Sequence, residues 1–209
     1  VACGDSDSGS TTAAPQTKEA KPDSSKESES DSQASKEGGS QPQRQDDESS
    51  SSPASVDAAP LKVSGGGSGQ YRTEGGDNSI QEFGEEGDEE DLGEAARAVH
   101  GYFVARANED WRAACANLAR TVIDQLDQLA SQSENLKGRD CAGMLETLSP
   151  PLPATVRRES TVVDAGSLRL EGERAFLIYR GAKGTGYAIV MAEEDGGWKV
   201  GSLAATPIS

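Results

Sequence analysis

The chain has 209 residues and a formal net charge of −16, with a mean hydropathy of −0.65. Residues 1–92 hold seven Lys/Arg against twenty-one Asp/Glu, a net of −14; the remaining 117 hold thirteen against fifteen, a net of −2. No stretch clusters the Lys and Arg that phosphate binding requires, so nucleic acid is not an expected partner, and no apolar run approaches the roughly 20 residues that span a bilayer.

The first sixty residues, Val1 to Pro60, contain no Leu, Ile, Met or aromatic side chain. Such a segment cannot bury enough surface to offset about 1–2 kcal/mol of backbone entropy per residue. Residues 1–92 are therefore expected to be a disordered, acidic, Ser-rich tether, and 93–209 a single small domain. As a flexible coil the tether has an end-to-end distance of about 50 Å, stretched further by its charge. A spacer is the expected role, with a modified or partner-binding tail as the alternative. The opening "VACG" resembles the end of a bacterial lipoprotein lipobox, in which small residues precede a Cys followed by another small residue. The resemblance implies that Cys3 is the lipidated residue, with Val1 and Ala2 at the −2 and −1 positions. It also implies a signal peptide, a lipid anchor and a location at the outer face of a bacterial envelope membrane. Later in the tether, "YRTEGGDNSIQEF" carries Tyr71, Ile80 and Phe83, which either dock on the domain or stay unstructured. The acidic run that follows sets Asp91 or Glu94 near a helix N-terminus, where negative charge is favourable.

From Gly93 the pattern becomes helical. "GEAARAVHGYFVARANE" places Ala96, Val99, Phe103 and Ala107 on one stripe. "NEDWRAACANLARTVIDQLDQLASQ" predicts one long helix with Trp111, Cys115, Leu118, Val122, Leu126 and Leu129 on its apolar face, and Asp110 as its cap. "LKGRDCAGMLETL" predicts a short third helix capped by Asp140, which "SPPLP" ends. Strands follow: "STVVDAGSLRLEGE" with a bend or bulge at Gly166, then "RAFLIYRG", "YAIVMAEE", an Asp195-Gly196-Gly197 turn and "WKVGSLAA". Helices first and an antiparallel meander afterwards predict an α+β domain, N-terminal helices packed on a curved antiparallel sheet.

Three cysteines leave one over if two pair. A Cys115–Cys141 bridge would close a loop of about 25 residues and contribute roughly 3.5 kcal/mol; two buried reduced thiols are the alternative. The bridge is expected if the compartment oxidises thiols, which assigning Cys3 to a lipid would allow.

"AVHGYFVARANEDWRAACANLA" and the final "DGGWKVGSLA" strand resemble the nuclear-transport-factor-2-like domains, polyketide-cyclase-like members included. The resemblance implies a cone-shaped α+β barrel, in some members enclosing a pocket. Candidates to line such a pocket are His100, Tyr102, Trp111, Tyr179, Tyr187, Met191 and Trp198; the plainer reading is that the aromatics and the Met fill the cone as core, Trp111 and Trp198 in particular.

Catalytic members of that family hold an acid, base or His inside the cone. The strand interiors here carry no Asp, Glu or His. The only His in the chain is His100, and Asp124 and Asp164 are the carboxylates that pattern places best. No Zn-type ligand cluster is available. "GAKGTG" joins two strands instead of opening a helix, so it is not a phosphate loop. Arg157 and Arg158 read as surface charge. No cofactor and no metal are expected. The leading expectation is a non-catalytic lipoprotein, its domain binding a small apolar ligand or an envelope protein. The alternative is a small isomerase- or cyclase-like enzyme using His100 with a carboxylate.

Overall fold

A computed structural model describes residues 55–208; Cys3 and the stretch up to residue 54 lie outside the described residues. In chain order these form β1 (Lys62–Val63), a 3-10 turn (Ser68–Tyr71), β2 (Glu85–Glu86), α1 (Glu89–Ala107), α2 (Trp111–Ala116), α3 (Arg120–Gln132), α4 (Cys141–Leu148) and α5 (Ala154–Glu159). Then come β3 (Asp164–Glu171), β4 (Arg174–Arg180), a 3-10 turn (Ala182–Gly184), β5 (Gly186–Glu194), β6 (Gly197–Val200) and β7 (Thr206–Pro207). The class is α+β: five helices and a strongly curled, mixed sheet that forms a half-barrel.

The β3-β4-β5-β6 meander is antiparallel, as the strand pattern predicts. The expectation of a wholly antiparallel sheet needs correction, because β1 lies parallel to β3. Period-2 alternation gives the sheet two unlike faces. Ala175, Leu177 and Tyr179 of β4 join the main core with Leu168, Ile189 and Met191, against Val99, Phe103 and Leu126 of the helices. Ile178 of β4 and Ala188 of β5 face the other way, into a second cluster sealed by Tyr71, Ile80 and Ile208.

That second cluster moves the domain boundary. Residues 55–92, assigned above to the tether, supply β1 and β2 to the sheet and cover its outer face. The side chains responsible are the three that stand out in the polar stretch: Tyr71 is buried, Ile80 packs beside it, and Phe83 meets Phe176 edge-on at 4.9 Å. Two glycines permit the close approach. Gly84 (φ 48°) runs so near β3 that a Cβ would lie 1.8 Å from the Leu170 carbonyl oxygen. Gly166 sits at the predicted bulge, between Ala165 and Ser167, where a Cβ would lie 2.3 Å from the Tyr71 hydroxyl.

Helix α1 begins four residues earlier than the apolar stripe alone implies, because Asp88 caps it by accepting from the Asp91 N–H at 2.9 Å. Glu89, Glu90 and Asp91 then place negative charge in the first turn. The long second helix predicted from periodicity is two helices. Asp110 caps α2 through the Ala113 N–H, but the chain leaves helical geometry at Leu118 and Ala119. There Leu118 makes a single parallel bridge to Val200, the Val200 N–H donates to the Asn117 carbonyl at 2.8 Å, and the Ala119 N–H donates to the Val200 carbonyl at 2.9 Å. Backbone bonds to the sheet edge replace the helical ladder while apolar spacing continues across the break. Val122, Leu126 and Ala130 form the buried face of α3, and Leu129 is exposed. Asp140 caps α4 as predicted. Helix α5, which follows Pro153, has no counterpart among the predicted elements. A disulfide joins Cys115 of α2 to Cys141 at the start of α4, with Cα atoms 6.2 Å apart.

Candidate functional site

The main core stops short of one end of the half-barrel. Here the C-terminal end of α1, the first residue of α2, the α4–α5 segment, the end of β4 and the β4–β5 hairpin surround a cavity of about 590 Å³. Its inner wall is aromatic. Tyr179 and Tyr187 stack with centroids 5.6 Å apart and planes at 23°. Phe103 tilts against Tyr179 at 6.0 Å, and Trp111 completes the wall. Leu152 and Val156 carry this apolar surface out to solvent.

The charged residues around the cavity largely satisfy one another. Arg157 Nη1 lies 3.4 Å from Glu109 Oε1 and donates to the Ala107 carbonyl at 2.7 Å. Lys183 Nζ lies 3.4 Å from Glu159 Oε2 at the exposed rim. Arg106 Nη1 donates to the Leu203 carbonyl at 2.9 Å, and its guanidinium stands 5.4 Å from the Tyr102 ring centroid. Burial pushes the Tyr179 phenol well above its ordinary range, and the neighbouring Tyr187 adds to the effect. Tyr179 therefore presents a neutral hydroxyl across the physiological range.

Of the residues expected at a pocket, Trp111, Tyr179 and Tyr187 line this cavity. Tyr102 and Met191 do not; both are buried in the core, with the Tyr102 hydroxyl donating to the Leu203 carbonyl at 3.0 Å. Trp198 also lies elsewhere, its indole N–H donating to Asp91 Oδ1 at 3.2 Å. His100 borders a different, more open hollow with Ala59, Pro60, Val104 and Asp110. Its Nε2 lies 2.8 Å from the Ala59 carbonyl oxygen. A carbonyl only accepts, so this nitrogen carries the proton. Neither carboxylate favoured by the sequence joins it. Asp124 is exposed on α3, Asp164 stands beside Tyr71 on the outer face of the sheet, and Asp110 is engaged in capping α2.

The α4–α5 segment is the part of the wall that sequence reasoning does not reach. Leu152, Val156 and Arg157 all line the cavity, yet the chain there signals only a Pro-rich stop followed by surface charge. The clue is two large apolar side chains in a short polar stretch that has no core to enter. Among the described residues no group of three or more His, Cys, Asp or Glu could hold a metal ion, and no helix is long and apolar enough to cross a membrane. No family model, curated protein or solved structure matches the chain.

Proposed function

We propose that this chain is a lipid-anchored protein of the bacterial envelope whose half-barrel holds a small apolar ligand without transforming it. The observation that carries the reading is the cavity: about 590 Å³ of space walled by Phe103, Trp111, Tyr179 and Tyr187. That size falls in the range of small-molecule sites, which are typically apolar with a few polar groups that set orientation. Helices stacked on a curled sheet with space left at one end are in keeping with the nuclear-transport-factor-2-like resemblance. The V-A-C-G sequence at Cys3 supports the anchor. The Cys115–Cys141 disulfide fits the oxidising compartment that such an anchor implies.

The neutral apolar fluorophore N-phenyl-1-naphthylamine tests the cavity. In a Trp198→Phe background it should bind saturably at one site and accept excitation energy from Trp111. Val156→Arg, on the exposed lip, should weaken that binding at least tenfold without lowering the melting temperature. Absence of saturable binding, or binding indifferent to Val156→Arg, defeats the reading. For the anchor, Cys3→Ser should move the protein from the membrane to the soluble fraction; unchanged retention removes that part of the proposal.

A further inference from the structure

The proposed binding reading leaves the ligand class open, and three features of the cavity narrow it. The first is charge. The basic groups at the wall are all engaged: Arg157 with Glu109, Lys183 with Glu159, and Arg106 with the Leu203 carbonyl. Arg157, with its side chain only 12 % exposed, is turned to Glu109 and the Ala107 carbonyl. Of the acids, Glu109 and Glu159 are paired, and Glu146 is exposed on α4. Two lining charges have no ion-pair partner among the described residues, but Arg106 is turned to the Leu203 carbonyl and the Tyr102 ring, and Glu146 faces solvent on α4. A ligand bringing a full charge in to the two tyrosines would therefore be desolvated with no ion pair to meet it there.

The second feature is the lip. Among the described residues five large hydrophobic side chains are exposed, and three fall within nine residues of chain: Leu148 (46 %), Leu152 (45 %) and Val156 (43 %). Leu152 and Val156 line the cavity, so on this side its apolar surface continues from Tyr179 and Tyr187 to the outside, past the Lys183–Glu159 pair at the rim. A compact ring held at the aromatic wall would leave this lip wet. A flexible chain running outward over it covers both.

The third is the backbone of the rim. Glu109 (φ 59°) and Lys183 (φ 67°) hold left-handed conformations that non-glycine residues seldom adopt. Both line this cavity, and their ion-pair partners, Arg157 and Glu159, are both on α5. Both are turn positions, Glu109 directly after the C-cap of α1 and Lys183 in the β4–β5 connection, and the two ion pairs tie these turns to α5 and fix the rim.

We infer that the cavity takes the aliphatic chain of an uncharged single-chain amphiphile, its chain against the Tyr179–Tyr187 wall and its outer part over Leu152 and Val156. This inference rests on the cavity being a ligand site, and the experiment separates the two. With the full chain, bound N-phenyl-1-naphthylamine is displaced by 1-alkanols of eight, ten and twelve carbons, and by the chain-matched alkanoates and alkyltrimethylammonium ions. All are kept below their aggregation concentrations. Each added methylene should raise alkanol affinity about fourfold while the chain still finds apolar wall, and either ion should bind at least tenfold more weakly than the alcohol. Leu152→Ser with Val156→Ser should remove the gain from ten to twelve carbons, lowering the affinity of the twelve-carbon alcohol several-fold more than that of the eight-carbon one. Affinity independent of chain length, or an ion binding as tightly as the alcohol, overturns the inference while probe binding stands. If the probe itself fails to bind, the ligand-site reading falls with it.

Discussion

Reduction of the Cys115–Cys141 bridge should lower stability by an amount that the loop it closes determines. The cysteines are 26 residues apart, and a cross-link over that separation removes about 3.5 kcal/mol of denatured-state entropy on the chain-closure model. The elements it joins have little stability of their own. Helix α2 has six residues and α4 has eight, both below the roughly 12–15 at which isolated helices begin to persist. Nothing local would replace the constraint. A domain of this size shifts by about 2–4 °C per kcal/mol, so the melting temperature should fall by about 7–14 °C. The assay is far-UV circular dichroism at pH 7, oxidised against phosphine-reduced, with mass spectrometry confirming that both cysteines alkylate. Reduction leaves both sulfur atoms in place, so the comparison isolates the cross-link from packing. A reduced protein with both thiols confirmed free that melts within about 2 °C of the oxidised one would refute the argument.

Two further outcomes are expected. A fragment of residues 93–209, the boundary that composition implies, should melt at least about 6–12 °C below a fragment of residues 55–209. It loses the burial of Tyr71 and the Phe83–Phe176 contact, together worth at least about 3 kcal/mol; equal melting temperatures would show that the outer-face cover contributes nothing. Alkaline pH should unfold the domain. Burial raises the phenols of Tyr71, Tyr102 and Tyr179, with Arg180 and Arg106 partly opposing the shift at the first two. A raised folded-state pKa favours the protonated folded form, so stability is whole below the unfolded tyrosine value near 10 and falls as pH rises past it. Tyr102 and Tyr179 should each contribute a loss of up to about 1.4 kcal/mol per pH unit. Denaturant midpoints between pH 8 and 11.5, followed with tyrosinate absorbance, check this; a flat profile contradicts it.

Local signals served well where the chain's own chemistry decides the outcome. Asp110 and Asp140 cap helices because a short carboxylate before a helix satisfies free N–H groups whatever surrounds it. The Asp195-Gly196 turn takes positive φ at both residues, as a tight hairpin demands. The readings that failed all depended on a distant partner. Nothing between Asn117 and Arg120 announces a helix break, since Val200 imposes it from eighty residues away. Composition assigned residues 55–92 to the tether because few apolar side chains are spread through a polar stretch. Yet Tyr71, Ile80 and Phe83, with Ile208 from the far end of the chain, are enough to cover the outer face of the sheet.

The cavity was legible in part for the same reason. Aromatic residues at strand positions mark a sheet face, so Tyr179 and Tyr187 could be named, but periodicity does not separate a core-filling ring from one facing open space. Tyr102 and Tyr179 illustrate the limit: both are buried aromatics in one chain of ring contacts through Phe103. Only the second lines the cavity, because α5 bridges its end of the barrel instead of filling it. That bridging follows from the Pro-rich turn after α4, which stops the helix and carries the chain across the opening to Glu109 and Lys183. Had Leu152 and Val156 turned inward they would have joined the core and closed the cavity. Their exposure, with the polar groups of α5 fastened at the rim, is what leaves this end of the half-barrel open.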